Sequence, residues 1–437
     1  MLLRIKIKNF LSFYNESTFD MFPNLKRTTF TNHIYQDSEI PLLKQAVIYG
    51  ANGSGKSNLL NAISFVKDFA TKRKYITDGL LDRNKFRLIS NENKSPIRIS
   101  VEFKNEERYF LYNIELNTNS TKEELYLSGI GKIEDKLLFK RTGNTVESNE
   151  ISSEEINNAT TKLLENNQSS SLLSLNKEFP ILKDENINIA YKWFEEKLTI
   201  LHLTRLLPSL IDLMSKNNKL LDFANHLFNK IGLGVKSLEV KSDKLNDFIK
   251  SDFEESNKIK DIIKKNFEGG SGISKIQYEK VLFTIVKEQE EQLIKRFIFK
   301  QTGIEGYVGD MNIEDQSDGT VKILNLIPAL FDVIEKDKII CIDEIENSIH
   351  PSLITSLISF YSESKSKGQL IFTTHETELL NQQKYMRSDE VWFTEKTQGD
   401  TKLYSLNDFK EHNTINIKNG YLEGRYGGIP FIGTLNE

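Results

Sequence analysis

Residues 45–60 read QAVIYGANGSGKSNLL: a short apolar run, a loop with three glycines closing on Lys-Ser, and the start of a helically spaced segment. The loop Gly50, Ala51, Asn52, Gly53, Ser54, Gly55, Lys56, Ser57 meets the phosphate-loop pattern at every specified position. Glycines let backbone N–H groups converge on phosphate oxygens with no Cβ in the way. Lys56 brings a point charge to the β- and γ-phosphates, and the Ser57 hydroxyl is the expected Mg²⁺ ligand. Leu59 to Ala70 has helical spacing, so the loop opens onto the positive end of a helix, and Asn58 completes the nucleotide-binding run. A random chain of this length shows the pattern about once in a hundred. The flanking strand and helix make a chance glycine turn rarer still. ATP and Mg²⁺ are the expected ligands.

Three further stretches extend this reading. Residues 339–344 (IICIDE) form an apolar strand ending in two acids, at the end of a strand where α/β sheets place their ligand crevice. Asp343 is expected in the Mg²⁺ shell and Glu344 as the base that polarises the attacking water; the bland alternative is a surface acid pair closing a strand. Residues 369–375 (QLIFTTH) end a second apolar run in His375, which either senses the γ-phosphate or is an ordinary strand-end histidine. Residues 315–320 (DQSDGT) precede the helical stretch Val321 to Ile334. Ser317, Asp318 and Gly319 are either a second phosphate site, useful only across a dimer, or a plain helix N-cap.

Around these motifs, Leu3, Ile5 and Ile7 alternate with charges as in a half-buried strand, and a second strand is expected near Ser17 to Met21. Ile97 to Phe103 and Tyr109 to Leu116 read as antiparallel strands joined by a polar turn. Residues 146–178 are polar, and suit either a mobile linker or exposed helices. Residues 186–300 read as mainly helical, with Lys287 to Phe297 (KEQEEQLIKRF) as an example and a loop at Gly269-Gly270. Apolar runs return in the last third, as in buried parallel strands. The expected fold is α/β with a mixed sheet, its two halves at 1–145 and 301–437 and a mainly helical insertion at 146–300.

With 58 basic and 62 acidic residues in 437, the net charge of −4 exerts no global pull on nucleic acid. One cysteine, Cys341, excludes an internal disulfide framework and fits a reducing compartment. Charges interrupt the N-terminal apolar residues, so no signal peptide is expected. No window approaches the roughly 18 apolar residues of a membrane span. A soluble cytoplasmic protein is the expectation. Lys72 to Lys74 and Lys258 to Lys265 are short basic runs that either touch phosphates or, as is usual for such runs, form solvated faces. His33, His202, His226 and His412 are scattered as core or surface residues are. The glycines of residues 424–428 (GRYGG) allow a close backbone turn, with an inter-subunit contact one use for it.

The four motifs in this order, with the opening strand and NFLSF at residues 9–13, resemble the ABC-type ATPases of the SMC, DNA-repair and OLD group. The resemblance implies heads that pair and enclose two ATP molecules, with Ser317 to Thr320 at the signature motif, Asp343 and Glu344 at Walker B, His375 at the switch histidine and Ile345 to His350 at the D-loop. The chain departs from the pattern in reading SDGT where transporters have SGGQ, and in carrying His350 where an aspartate is usual. No Q-loop glutamine stands out.

The last third, through SDGTVKILNLIPAL, IDEIENSIHPSL, QLIFTTHETELL and YLEGRYGGIPFI, is similar to stand-alone phage-defence ATPases of the RloA and AbiL type, with PARIS and Septu ATPase subunits as more distant relatives. That likeness implies an ATP-hydrolysing subunit that assembles as a homodimer or higher oligomer and controls a separately encoded effector, such as a TOPRIM-like nuclease, in response to a nucleic-acid or phage-protein trigger. Only about sixty residues follow His375, fewer than a nuclease domain of ordinary size. The insertion is then the expected interaction surface. A repair or chromosome-associated ATPase is the competing reading, disfavoured by the lack of a long heptad run. A non-hydrolysing nucleotide-gated scaffold is the third, disfavoured by Lys56, Ser57, Asp343 and Glu344 all being present.

Overall fold

The computed structural model describes residues 1–36, 39–89, 93–149, 154–202, 209–250, 273–278, 281–288, 291–347, 349–381, 384–409 and 416–429. The basic run 258–265, the Gly269-Gly270 pair and His412 lie outside these residues, as does the side chain of His202. The chain divides into two compact units: Met1–His202 with Val333–Ile345 and Ile358–Glu437, and Leu203–Asp332 with Glu346–Leu357.

The first unit holds the central sheet, in the order Leu198–His202, Ile339–Asp343, Gln369–Thr373, Gln45–Gly50, Val391–Thr397, Asp400–Ser405. The first five strands are parallel and the last is antiparallel, so the sheet is mixed. Parallel strands covered on both faces need apolar residues throughout, and Gln45–Gly50 and Gln369–Thr373 are buried along their whole length. A second, antiparallel sheet runs Thr145–Glu147, Lys136–Thr142, Ser120–Leu127, Arg108–Asn117, Ile97–Asn105, Leu2–Lys8, Ser17–Asp20. The helix Lys56–Thr71 places Leu59, Ile63, Val66 and Ala70 in one core with Ile5, Ile7 and Ile99 of that sheet and Ala46, Ile48 and Ile371 of the central one. Val47 and Tyr49 alternate to the opposite face, where Tyr49 lies against Phe393 and Tyr421.

Residues 154–202, expected in the insertion, pack with this first unit. Helices Glu154–Glu165, Leu172–Glu178 and Glu185–Lys192 lead to Leu198–His202, an edge strand paired in parallel with Ile339–Asp343. The anchor is an ion pair on the antiparallel sheet. Fully buried Glu123 accepts from the backbone N–H groups of Leu172 and Leu173 at 2.6 and 3.1 Å. Arg141, also buried, lies 3.8 Å from Glu123 and donates to the Ser170 carbonyl at 2.6 Å. Burial raises the Glu123 pKa, and the Arg141 charge opposes the rise.

The second unit combines the helices Leu210–Lys216, Asn218–Ile231 and Leu245–Lys250 with an antiparallel sheet ordered Val235–Lys244, Glu291–Thr302, Val281–Glu288, Ile273–Tyr278, to which Val308–Met311 adds beside Glu291–Thr302. The stretch read as helical at KEQEEQLIKRF is strand wherever it is described. Leu293, Ile294, Phe297 and Ile298 fit helical spacing equally well, but ladder pairing with Val235–Lys244 selects the extended form. Among the described residues, no helix is long and apolar enough to cross a membrane.

Candidate nucleotide-binding site

The central sheet's carboxyl edge collects the motifs of the first unit. Gln45–Gly50 runs into the loop, and Lys56 begins the helix. Glycine is obligatory at both ends of the loop for lack of space. A Cβ on Gly50 would sit 2.3 Å from Thr394 Oγ1, and one on Gly55 would sit 2.4 Å from Thr401 Oγ1. The loop is gripped by hydroxyls. Ser54 Oγ lies 2.6 Å from Thr394 Oγ1, and Thr401 Oγ1 lies 2.8 Å from the Ser54 carbonyl oxygen and 2.7 Å from Ser12 Oγ. Asn58 donates to Ser12 Oγ at 2.7 Å. The buried Lys56 ammonium donates to the Gly50 and Ala51 carbonyls at 2.8 and 3.2 Å. Asn52 and Gly53 are exposed at the tip.

Ser57 Oγ donates to Asp343 Oδ1 at 3.1 Å, joining the loop to the strand Ile339–Asp343. Asp343 is half-buried and Glu344, one residue on, is exposed. A hydroxyl beside a carboxylate, next to a loop in which Gly50 and Gly55 have no room for a side chain, fits the donor set of a magnesium–nucleotide complex: Mg²⁺ takes few protein oxygens and completes its shell from phosphates and water. His375 lies two residues beyond the strand Gln369–Thr373 and is exposed. Its loop is pinned on both sides: Thr374 N donates to the Ile48 carbonyl at 3.2 Å, and the Tyr49 hydroxyl to the Glu376 carbonyl at 2.7 Å.

Ser317, Asp318 and Gly319 belong to the second unit. Ser317 Oγ accepts from Thr320 N at 3.1 Å, the geometry of a helix N-cap ahead of the helix Asp318–Glu335. Ser317 and Asp318 are nonetheless exposed. Buried Gln316 anchors the turn through a 2.9 Å bond from Gln301. Further along, His350 Nδ1 lies 2.8 Å from Ser352 Oγ and accepts from Ser352 N, at the start of the helix Pro351–Ser362.

Several residues at the site were passed over in the sequence. Ser12, Thr373, Thr394 and Thr401 all touch the loop or its acids; their only local signal is a hydroxyl residue in a strand or turn. The GRYGG turn closes within the chain. Gly427 and Gly428 both have φ +68°, and a Cβ on Gly428 would lie 3.6 Å from Gly50 Cα. Tyr404 OH donates to the Tyr426 carbonyl at 2.7 Å and Tyr421 OH to that of Gly428 at 3.2 Å, backing the turn onto the end of the phosphate-loop strand. Away from the site, Lys72 pairs with Asp68 and Arg73 with Glu178. His33 is a core residue, its Nδ1 2.9 Å from Glu390. Among the described residues no group of three or more His, Cys, Asp or Glu is placed to hold a metal.

The profile of the family described as "AAA domain, putative AbiEii toxin, Type IV TA system" matches residues 46–381. Among solved structures, the chain is similar to an SMC head bound to the C-terminal winged-helix domain of ScpA, at 13% identity and a TM-score of 0.48, covering 92% of this chain and 97% of that one. It is also similar to the SMC head domain from Thermotoga maritima (12% identity, TM-score 0.41, covering 92% and 98%). A third likeness is to an SMC head with an extended coiled coil, bound to the C-terminal domain of ScpA derived from Pyrococcus furiosus (15% identity, TM-score 0.41, covering 92% and 96%). No curated protein matches the chain.

Proposed function

The chain belongs to this AAA domain family, and on that premise we propose that it binds ATP with Mg²⁺ and hydrolyses it, as the nucleotide-controlled subunit of an anti-phage system. The observation that carries the ATPase reading is the 3.1 Å contact between Ser57 Oγ and Asp343 Oδ1. It joins a phosphate loop to an acid-ended strand, and these two residues would hold Mg²⁺. When bound, Mg²⁺ supplies charge neutralisation at the phosphates. Lys56 adds a fixed cation from the loop. Glu344 accepts the proton of the attacking water, and His375 meets the γ-phosphate from its pinned loop. Phosphoryl transfer asks mainly for positioning and charge stabilisation, which a rigid sheet edge supplies.

The defence role is supported by the motifs of the last third and by a family description that names a putative AbiEii toxin of a Type IV TA system. In this reading two copies close on ATP, each offering Ser317 and Gly319 to the nucleotide held by its partner, and closure governs a separate effector nuclease or toxin. Phosphate release by the purified chain with Mg²⁺ tests the enzymatic part. A wild-type preparation that binds Mg²⁺–ATP without releasing phosphate, alone or with its neighbouring gene product, would sink it. Phage challenge of cells carrying the chain and its neighbouring gene tests the rest; protection that persists in Lys56→Ala would remove nucleotide control.

A further inference from the structure

We propose that Thr373 is a positioning residue that sets both acids of the candidate site through one hydroxyl; this rests on the ATPase reading above. Thr373 is fully buried at the end of the strand Gln369–Thr373, between Ile339–Asp343 and Gln45–Gly50. Glu344 N donates to Thr373 Oγ1 at 2.8 Å, and Thr373 Oγ1 donates to Asp343 Oδ1 at 2.7 Å. The direction is unambiguous: an amide can only donate, so the hydroxyl's own proton is left for the carboxylate. Asp343 Oδ1 therefore receives two hydroxyl protons, from Thr373 and from Ser57. The same Oδ1 oxygen meets the loop and the neighbouring strand, which fixes how the carboxylate is turned.

The second acid is held through its backbone. Glu344 has φ +49°, a left-handed conformation that residues with a Cβ rarely adopt. Its N–H ends on the Thr373 hydroxyl, and the next one, Ile345 N, ends on the Thr373 carbonyl at 3.2 Å. Thr373 thus clamps both sides of the turn that presents Glu344 to solvent. Groups that orient metal ligands and bases in this way typically contribute 10–100-fold to metal affinity or activity. The alternative is a threonine whose methyl simply fills the strand end.

The two readings order the variants oppositely. Thr373→Val keeps the shape and loses the hydroxyl; Thr373→Ser keeps the hydroxyl and loses the methyl. Positioning predicts that Thr373→Val raises the Mg²⁺ concentration for half-maximal ATPase and lowers kcat, each by about 10-fold or more, while KM for ATP stays within about threefold and Thr373→Ser stays near wild type. A packing role predicts the reverse, with Thr373→Ser the worse variant. Wild-type Mg²⁺ dependence and kcat in Thr373→Val would overturn the proposal. Circular dichroism checks folding, and Thr373→Ala serves as the second hydroxyl-free variant should Thr373→Val not fold. If the wild type binds Mg²⁺–ATP without turnover, the ATPase reading fails on its own. Mg²⁺ titration of fluorescent-ATP binding then still reports on Thr373, with an unshifted midpoint in the hydroxyl-free variant counting against it.

Discussion

The hydroxyl of Thr401 donates to the carbonyl of Ser54 at 2.8 Å, across 347 positions of sequence. Ser54 belongs to the phosphate loop, and Thr401 to the last strand of the central sheet, Asp400–Ser405. The loop is therefore shaped by the opposite end of the chain. Thr401→Val deletes this bond and the contact with Ser12 while keeping the volume. A buried hydrogen bond contributes about 1 kcal/mol net, so the Kd for ATP should rise by roughly fivefold. Turnover at saturating ATP should change little. Calorimetric titration measures the shift, and unchanged affinity would show that the hydroxyl contact is incidental.

Lys56→Ala removes the only side chain of the loop that carries a formal charge. Charge-assisted bonds to phosphate contribute about 1.5–3 kcal/mol each, so ATP affinity should fall by roughly 100-fold or more. The fold should survive, since the loop is also held by the Ser54–Thr394 and Thr401–Ser54 contacts. Equilibrium dialysis with ATP, read beside a far-ultraviolet spectrum, checks both halves. Retained affinity would mean the loop is not where phosphate binds.

Glu344→Gln should bind ATP normally and turn over about 10²–10⁴-fold more slowly, the usual contribution of a positioned base. The amide is nearly isosteric and cannot take the water's proton. If two heads close on ATP, the closed assembly should accumulate in this variant and appear as an earlier peak in size-exclusion chromatography with Mg²⁺–ATP. Wild-type rates would remove Glu344 from the base role.

Gly319→Glu places a carboxylate where a partner's γ-phosphate is expected to dock, so the variant alone should be inactive. Mixed with Lys56→Ala, it should regain activity, because each mixed dimer keeps one loop and one signature turn intact. The mixture is assayed after mixed dimers have been shown by mass spectrometry. No recovery in their presence would leave Ser317 with the N-cap role alone.

Arg141→Leu should destabilise the first unit by about 3–5 kcal/mol, the cost of leaving a buried charge without its partner. Burial already raises the Glu123 pKa, and losing Arg141 raises it further. A carboxyl whose folded pKa exceeds its unfolded one is penalised as pH rises above the unfolded value. The loss should therefore be larger at pH 8 than at pH 5, and smaller when Glu123→Gln is combined with it. Urea unfolding at the two pH values measures this; a pH-independent loss would point to packing alone. The same pair argues against excising residues 146–300 as a detachable insertion, because 154–202 supply the N–H groups that Glu123 accepts and an edge strand of the central sheet.

What the sequence determined by itself is local. Gly50, Gly53 and Gly55 at fixed offsets, an apolar run before them and helical spacing after them can be read one segment at a time, because strand burial and helical periodicity are short-range properties. The same holds for the runs ending at Asp343 and near His375. Tertiary structure decided what those segments meet. Nothing local marks Thr401 as the residue against Ser54, Thr373 as the link between two acids, or Gly428 as the neighbour of Gly50. The edge strand Leu198–His202 and the strands Val235–Lys244 and Glu291–Thr302 were illegible for a related reason. Leu198–His202 (LTILH) is too short to show a period, the other two mix charged and apolar residues that satisfy helical and extended spacing alike, and in each case hydrogen bonding to a distant strand makes the choice.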